Sequence, residues 1–239
     1  MEDIRWGLVR WRLTENIENI ESNSLNKTLS GPTITKDEIR KVLTEAKNNK
    51  AVGPDKIPVE ILKLIEDDHI SLLHKVFNYI YETGHFSDMW LKYTFIPVSK
   101  KKNARKCSDH RLIRLMNHSL KLLLKIIHKR IYHKCKRNIS DNQCGLKSGM
   151  GTHEALFILQ VLIQNCRDVN GDIFLCFVDY EKAFDRVKHD KLIKILKKTD
   201  VDEKDIRCIE KLYWYQKSHI TTQNIISEDI QIHREVRQG

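Results

Sequence analysis

The segment Ile173-Phe-Leu-Cys-Phe-Val-Asp-Tyr-Glu-Lys-Ala-Phe-Asp185 says more about the architecture of this chain than any other part of it. Its first six residues, 173–178, are apolar or carry a thiol, and their β-forming side chains predict a buried strand. Asp179 follows directly. An ionised carboxylate at the end of a buried strand is costly unless a cation meets it, and this favours a metal ion. Aspartate is also a common turn residue, so an ordinary turn is the alternative interpretation.

Charge and composition narrow the classes of function. The 239 residues suffice for one large domain or two small ones, and 41% hydrophobic with 31% charged residues is typical of a globular protein. The net charge of +10 favours nucleic acid as the partner, ahead of an anionic membrane surface. No apolar run approaches the ~18 residues of a membrane span, and the N-terminus lacks the apolar core of a signal peptide. We therefore predict no membrane partner and an intracellular location, in the cytoplasm or nucleus, without secretion.

The spacing of apolar residues predicts a mostly helical chain with one hairpin. Thr35-Lys-Asp-Glu38 is a capping box at the start of a helix that reaches Ala46. Further helices are predicted from Pro58, over residues 70–81, from Ser119, over 152–167, from Asp190 and over 204–215. Strands are predicted near 93–98 and 111–116, and a strand-like tail ends the chain.

Two neighbouring elements concentrate positive charge. The turn of the hairpin, called here the basic hairpin tip, spans residues 100–106 and carries Lys100, Lys101, Lys102, Arg105 and Lys106. The next helix repeats lysine every four residues on one face, at Lys121, Lys125 and Lys129. This pattern is typical of a surface that follows a nucleic-acid backbone, although a solvated helix face is the plainer alternative.

The order of the motifs resembles the reverse transcriptase domain of non-LTR (LINE-type) retrotransposons. The matching family patterns are G-P-D-G-[IV]-P at 53–58, I-P-[IV]-x-K-K at 96–101, S-[DN]-Y-R-P-I at 108–113, Q-x-G-F-R-x-G-x-x-T at 143–152, D-x-x-K-A-F-D at 179–185, and V-R-Q-G at 236–239. Several positions depart from these patterns: Lys56 and Glu235 stand where glycine is common, His110 replaces an aromatic residue, Leu112 a proline, and Cys144 and Leu146 phenylalanines.

The resemblance implies an α+β, right-hand polymerase fold. The chain would hold the fingers and the first part of the palm, mostly helical, with a finger hairpin and an incomplete palm sheet. Residues 1–30 would be a leader or linker, and 31–239 a partial reverse transcriptase domain, with 31–170 mainly fingers and 171–239 the start of the palm. The family's [FY]-A-D-D motif, which holds the remaining metal-binding aspartates, is expected beyond Gly239.

The same resemblance implies an RNA-directed DNA polymerase that uses an RNA template, a DNA primer and deoxynucleoside triphosphates. Asp179 would be the catalytic residue that binds metal, with two Mg²⁺ (or Mn²⁺) ions in the intact enzyme. Phe184 would lie against the sugar of the incoming nucleotide, which Gln238 would also contact, and Lys101 and Arg111 would meet its triphosphate. Relatives usually carry an endonuclease domain upstream, and the full-length protein is expected to include one.

Two alternatives stay open: a catalytically dead remnant that only binds nucleic acid, and a basic helical scaffold without that role.

We expect the chain alone to be inactive, because Asp172, ~23 Å along an extended strand, and Glu181, ~7 Å along it, cannot complete a site with Asp179. We also expect Asp179 to end a sheet strand, with the basic hairpin tip folded over the same cleft and Phe184 below Arg111.

Overall fold

The architecture is known from a computed structural model that describes residues 29–64, 67–222, 225–232 and 234–236. Nearly all of the predicted leader, residues 1–30, and Gln238 lie outside the described residues. Within the described part, helices and a mixed sheet share one chain, which confirms the predicted α+β class. No helix in these ranges combines the length and the hydropathy that crossing a membrane requires.

The main hydrophobic core lies among helices from the first half of the chain. These helices are α1 (Lys36–Glu45), α2 (Val59–Lys63), α3 (Asp67–Thr83), α4 (Asp88–Leu91) and α5 (His118–Cys135). The predicted capping box opens α1: the Thr35 hydroxyl accepts from the Glu38 amide at 3.2 Å, and the Glu38 carboxylate accepts from the Thr35 amide at 2.8 Å. The core residues recur at helical spacing, so each amphipathic helix buries its apolar face here.

A five-stranded sheet packs beside this core. Its strands are β1 (Lys92–Ser99), β2 (His110–Leu115), β3 (Lys217–Thr222), β4 (Ile225–Ile226) and β5 (Ile230–Gln231). β1 and β2 form the predicted antiparallel hairpin, in which Val98 lies opposite Arg111. β3 pairs parallel to β1 and antiparallel to both β4 and β5, so part of the predicted strand-like tail joins the β1–β2 hairpin in one sheet.

Three more helices complete the described chain: α6 (Thr152–Asp168), α7 (His189–Leu196) and α8 (Glu203–Trp214). α8 sends Cys208 and Leu212 into the main core, and α7 packs on α8 in a smaller apolar cluster. α6 differs from them because none of its residues is buried.

The predicted strand over residues 173–178 is wrong. Residues 171–180 form neither helix nor strand, and every one of them is exposed. Phe174 and Phe177 keep 93% and 82% of their surface accessible. A strand needs a neighbour for its backbone hydrogen bonds, and the sheet described above forms without this segment. The expectation that Asp179 ends a sheet strand is therefore wrong as well.

The loop over residues 53–58 is fixed to the start of α5. The Asp55 amide donates to the Asn117 side chain at 3.3 Å, and the Asp55 carboxylate accepts from the Ile57 amide at 3.2 Å. A Cβ on Gly53 would lie 2.6 Å from the Asn117 nitrogen. Glycine is needed here because the two backbones approach too closely for any side chain.

Gly53→Ala is expected to lower the free energy of unfolding by about 1–3 kcal/mol, since the added methyl group must displace backbone. Gly145→Ala is the matched control, because a Cβ there meets nothing within 4 Å. Chemical denaturation of both variants measures the difference. Equal stability of the two variants would contradict the close approach at Gly53.

Candidate functional site

Asp179 lies in an exposed segment without regular secondary structure, two residues before a turn over residues 181–186. Within the turn, the Arg186 guanidinium pairs with the Glu181 carboxylate at 2.8 Å. The Arg186 amide also donates to the Lys182 carbonyl at 3.2 Å. Phe184 lies in this turn with half of its surface exposed, so its ring is accessible to a ligand.

The turn is joined to a short segment from the far end of the chain. The Val236 amide donates to the Phe184 carbonyl at 3.0 Å, and the Glu235 amide donates to the Val187 carbonyl at 3.1 Å. Lys188 and Arg234 continue this pairing as an antiparallel bridge. The D-x-x-K-A-F-D motif and Val236, the first residue of the V-R-Q-G motif, lie far apart in the sequence and are thus neighbours in space.

Glu235 connects this pairing to the sheet. Its carboxylate accepts from the Arg114 guanidinium of β2 at 2.6 Å, and its carbonyl oxygen lies 2.8 Å from Nε2 of His189. Neither Arg114 nor His189 was singled out from the sequence, since nothing local marks their contacts. The departure of Glu235 from the family's common glycine was the available signal.

The basic hairpin tip is organised by one carboxylate, that of Asp109. Asp109 pairs with Lys101 at 2.9 Å and accepts from the amides of Arg105 and Lys106 at 3.4 and 3.2 Å. The Lys101 ammonium and these amides hold the pKa of Asp109 below its usual value. Lys100 donates to the Ser108 carbonyl at 3.1 Å. The tip therefore presents a shaped cationic surface, and all five of its basic residues are exposed.

Arg111 lies in β2, as expected, and its side chain is exposed. The position of Arg111 relative to Phe184 and the predicted shared cleft stay predictions. So do the nucleotide contacts of Lys101, Arg111 and Phe184. The predicted contact of Gln238 falls outside the described residues.

The three lysines on the predicted basic face of α5, Lys121, Lys125 and Lys129, differ from one another in their surroundings. Lys125 and Lys129 both pair with Glu45 of α1, at 3.0 and 2.6 Å. These two ammonium groups lower the pKa of Glu45 to about 2. Lys121 is half-buried, and burial lowers its pKa. The predicted nucleic-acid contact of this face therefore competes with an intramolecular pairing, whereas the hairpin tip keeps more of its charge available.

The described residues do not by themselves make a metal site. Among them, no group of three or more histidine, cysteine, aspartate or glutamate side chains lies close enough to bind one ion. Two-metal phosphoryl transfer needs several bridging carboxylates. Asp179 can supply one of these ligands, and the donor set around it does not fit two ions without further carboxylates.

Comparison with known proteins identifies the family to which these motifs correspond. The profile described as reverse transcriptase (RNA-dependent DNA polymerase) matches residues 98–239, more than half of the chain. The RNA-directed DNA polymerase from mobile element jockey of Drosophila melanogaster is 23% identical over 185 residues, covering 76% of this chain and 20% of that protein. The probable RNA-directed DNA polymerase from transposon X-element of the same organism is 30% identical over 166 residues, covering 68% and 18%.

A third relative is the transposon TX1 uncharacterized 149 kDa protein of Xenopus laevis, 23% identical over 206 residues, or 86% of this chain and 16% of that protein. The chain thus spans about a fifth or less of the length of the curated relatives that it matches. The similarity covers a domain and leaves most of each relative without a counterpart here.

Proposed function

Because this chain belongs to the reverse transcriptase (RNA-dependent DNA polymerase) family, we propose that it forms the fingers and the first part of the palm of a LINE-type retrotransposon polymerase. Residues 31–170 would be mainly fingers and 171–239 the start of the palm. The full-length protein would copy an RNA template by extending a DNA primer with deoxynucleoside triphosphates, inside the cell. An endonuclease domain upstream of this chain is part of the same proposal.

One observation carries the proposal. The hydrogen bond from the Val236 amide to the Phe184 carbonyl joins the two motifs that the family uses around the incoming nucleotide. Chance matches to short motifs have no reason to meet in the fold. Their adjacency supports a common site in which Asp179, Phe184 and the residues after Val236 act together.

Each residue of this site has a role that its chemistry allows. The family uses divalent metal ions, and Asp179 would hold two Mg²⁺ or Mn²⁺ ions together with further aspartates of the full-length protein. Phe184 would lie against the sugar and exclude a 2′-hydroxyl by its bulk. Lys101 and Arg111 would bind the triphosphate, because ammonium and guanidinium groups make strong charge-assisted hydrogen bonds to phosphate. Gln238 would contact the same nucleotide.

The direct assay is primer extension on an RNA template. The chain would be joined to the downstream [FY]-A-D-D segment and thumb of a relative, and supplied with Mg²⁺ or Mn²⁺ and deoxynucleotides. Templated DNA synthesis by this fusion supports the proposal. A fusion that binds template and primer but never extends them favours the second candidate function, a remnant that only binds nucleic acid.

The exposed charge of the basic hairpin tip favours nucleic-acid binding. It leads to a testable prediction. Replacing Lys100, Lys101 and Lys102 by alanine should make the slope of log K against log salt shallower by up to about 2. The physical reason is that each phosphate of a single strand that a lysine neutralises adds ~0.7 to the steepness of this slope. Titration of a labelled single-stranded oligonucleotide at several salt concentrations measures the slope.

The matched control is Lys125→Ala with Lys129→Ala. These two lysines share the carboxylate of Glu45, so we expect a smaller change in slope. If the α5 double variant alone changes the slope, the binding surface lies on α5 and not on the hairpin tip.

A further inference from the structure

The Arg114 side chain is packed against the sheet. Its guanidinium lies over the rings of Tyr93 and Phe95, 5.4 and 5.1 Å from their centroids. It also approaches the buried Gln216 amide oxygen at 3.5 Å. Only 7% of the side chain is exposed, so its charge is largely removed from water and acts on a nearby carboxylate with little screening.

That carboxylate belongs to Glu235, whose backbone conformation is unfavourable for a residue other than glycine. Glu235 has a φ of 118°, in a region that favours glycine and is strained for other residues. The family motif that this stretch resembles commonly has glycine at this position. Such a conformation persists only where the surroundings fix it, and here both the side chain and the backbone of Glu235 are bonded.

The bonds of Glu235 point in two directions. Its carboxylate reaches Arg114 on the sheet at 2.6 Å, while its amide donates to the Val187 carbonyl at 3.1 Å. The next amide, that of Val236, donates to the Phe184 carbonyl at 3.0 Å. A continuous set of hydrogen bonds thus runs from β2 to the turn that carries Phe184.

We propose that Arg114 and Glu235 are positioning residues, whose ion pair sets the place of the Phe184 turn relative to the sheet of β1 to β5. Phe184 is the side chain expected to meet the nucleotide sugar, so the pair would control how closely that ring approaches. This inference rests on the proposed function for the role of Phe184. The contacts that carry it are independent of polymerisation.

The test uses the 239-residue chain with 4-fluorophenylalanine at position 184, followed by ¹⁹F NMR, together with hydrogen exchange at the amides of Glu235 and Val236. Arg114→Gln and Glu235→Gln should each shift or broaden the fluorine signal. Each should also speed exchange at both amides by about tenfold, the effect of losing one charge-assisted hydrogen bond. The double variant should do no more than either single variant, since both remove the same pair.

Arg207→Gln is the control for a general loss of stability. The Arg207 guanidinium donates to the Tyr81 carbonyl at 2.6 Å, far along the chain from this turn, so its loss should leave the fluorine signal unchanged. An equal response to Arg207→Gln, or no response to Arg114→Gln, overturns the proposal. Because no readout needs catalysis, a fusion that fails to extend primers would contradict the proposed function and leave this result standing.

Discussion

Asp205→Asn is expected to stabilise the chain at pH 7 by about 3 kcal/mol. Asp205 is completely buried near the start of α8, and neither of its carboxylate oxygens has a hydrogen-bond partner of good geometry in the described part of the chain. Burial raises the pKa of Asp205, and the neighbouring Tyr81 hydroxyl and Arg130 guanidinium lower it. The effect of burial is the larger, so the pKa of Asp205 is about 6. An ionised carboxylate in this place is costly, whereas an amide of the same shape carries no charge.

The pH dependence follows from the direction of this shift. The pKa of Asp205 rises from 3.8 to about 6 on folding, so the folded state binds the proton more tightly than the unfolded state. The stability associated with Asp205 is fully present below about pH 4 and is lost as pH rises through about 6. The difference of about two pH units, at 1.36 kcal/mol each, gives the ~3 kcal/mol stated above.

Denaturation of the wild type and Asp205→Asn at pH 4, 5, 6 and 7 measures this curve. The two proteins should have similar stability at pH 4 and diverge as pH rises. Asp200→Asn, at an exposed position just before α8, is the matched control and should change little. If the difference in free energy of unfolding between wild type and Asp205→Asn does not depend on pH, Asp205 is not buried as a titrating acid.

Local signals explain why much of the fold could be predicted from the sequence. The capping box at Thr35 and the apolar repeat of α1 act within a few residues, and the structure has both. The hairpin of β1 and β2 is also local, because its two strands follow each other in the sequence and are joined only by the basic connection over residues 100–109. The family resemblance predicted the α+β class and a functional role for Phe184.

Contacts between residues far apart in the chain could not be predicted from the sequence. The apolar residues 173–178 have the pattern of a buried strand, yet a strand depends on a pairing partner that no local pattern specifies. The parallel pairing of β3 with β1 was missed for the same reason. The substitutions at Lys56 and Glu235 were visible, but only the structure shows that both adopt a positive φ, at 56° and 118°.

Loss of the Asp179 carboxylate is expected to have the largest effect on chemistry. In the fusion that carries the downstream aspartates of a relative, Asp179→Ala should slow primer extension by about 10³-fold or more. Removing a metal ligand weakens charge stabilisation in the transition state, which is worth several kcal/mol, and each 1.36 kcal/mol is a factor of ten. Binding of template and primer should persist, because the basic hairpin tip is unchanged. Asp172→Ala, at an exposed position earlier in the same segment, is the matched control.

The most direct test asks whether Asp179 belongs to a working polymerase site. It compares extension of a DNA primer on an RNA template by the wild-type, Asp179→Ala and Asp172→Ala fusions. We expect templated synthesis by the wild type and by Asp172→Ala, and loss of synthesis in Asp179→Ala. The 239-residue chain alone should give no product, since its described carboxylates do not form a metal site. Equal extension by the wild-type and Asp179→Ala fusions, or Asp179-dependent extension by the chain alone, would contradict this account.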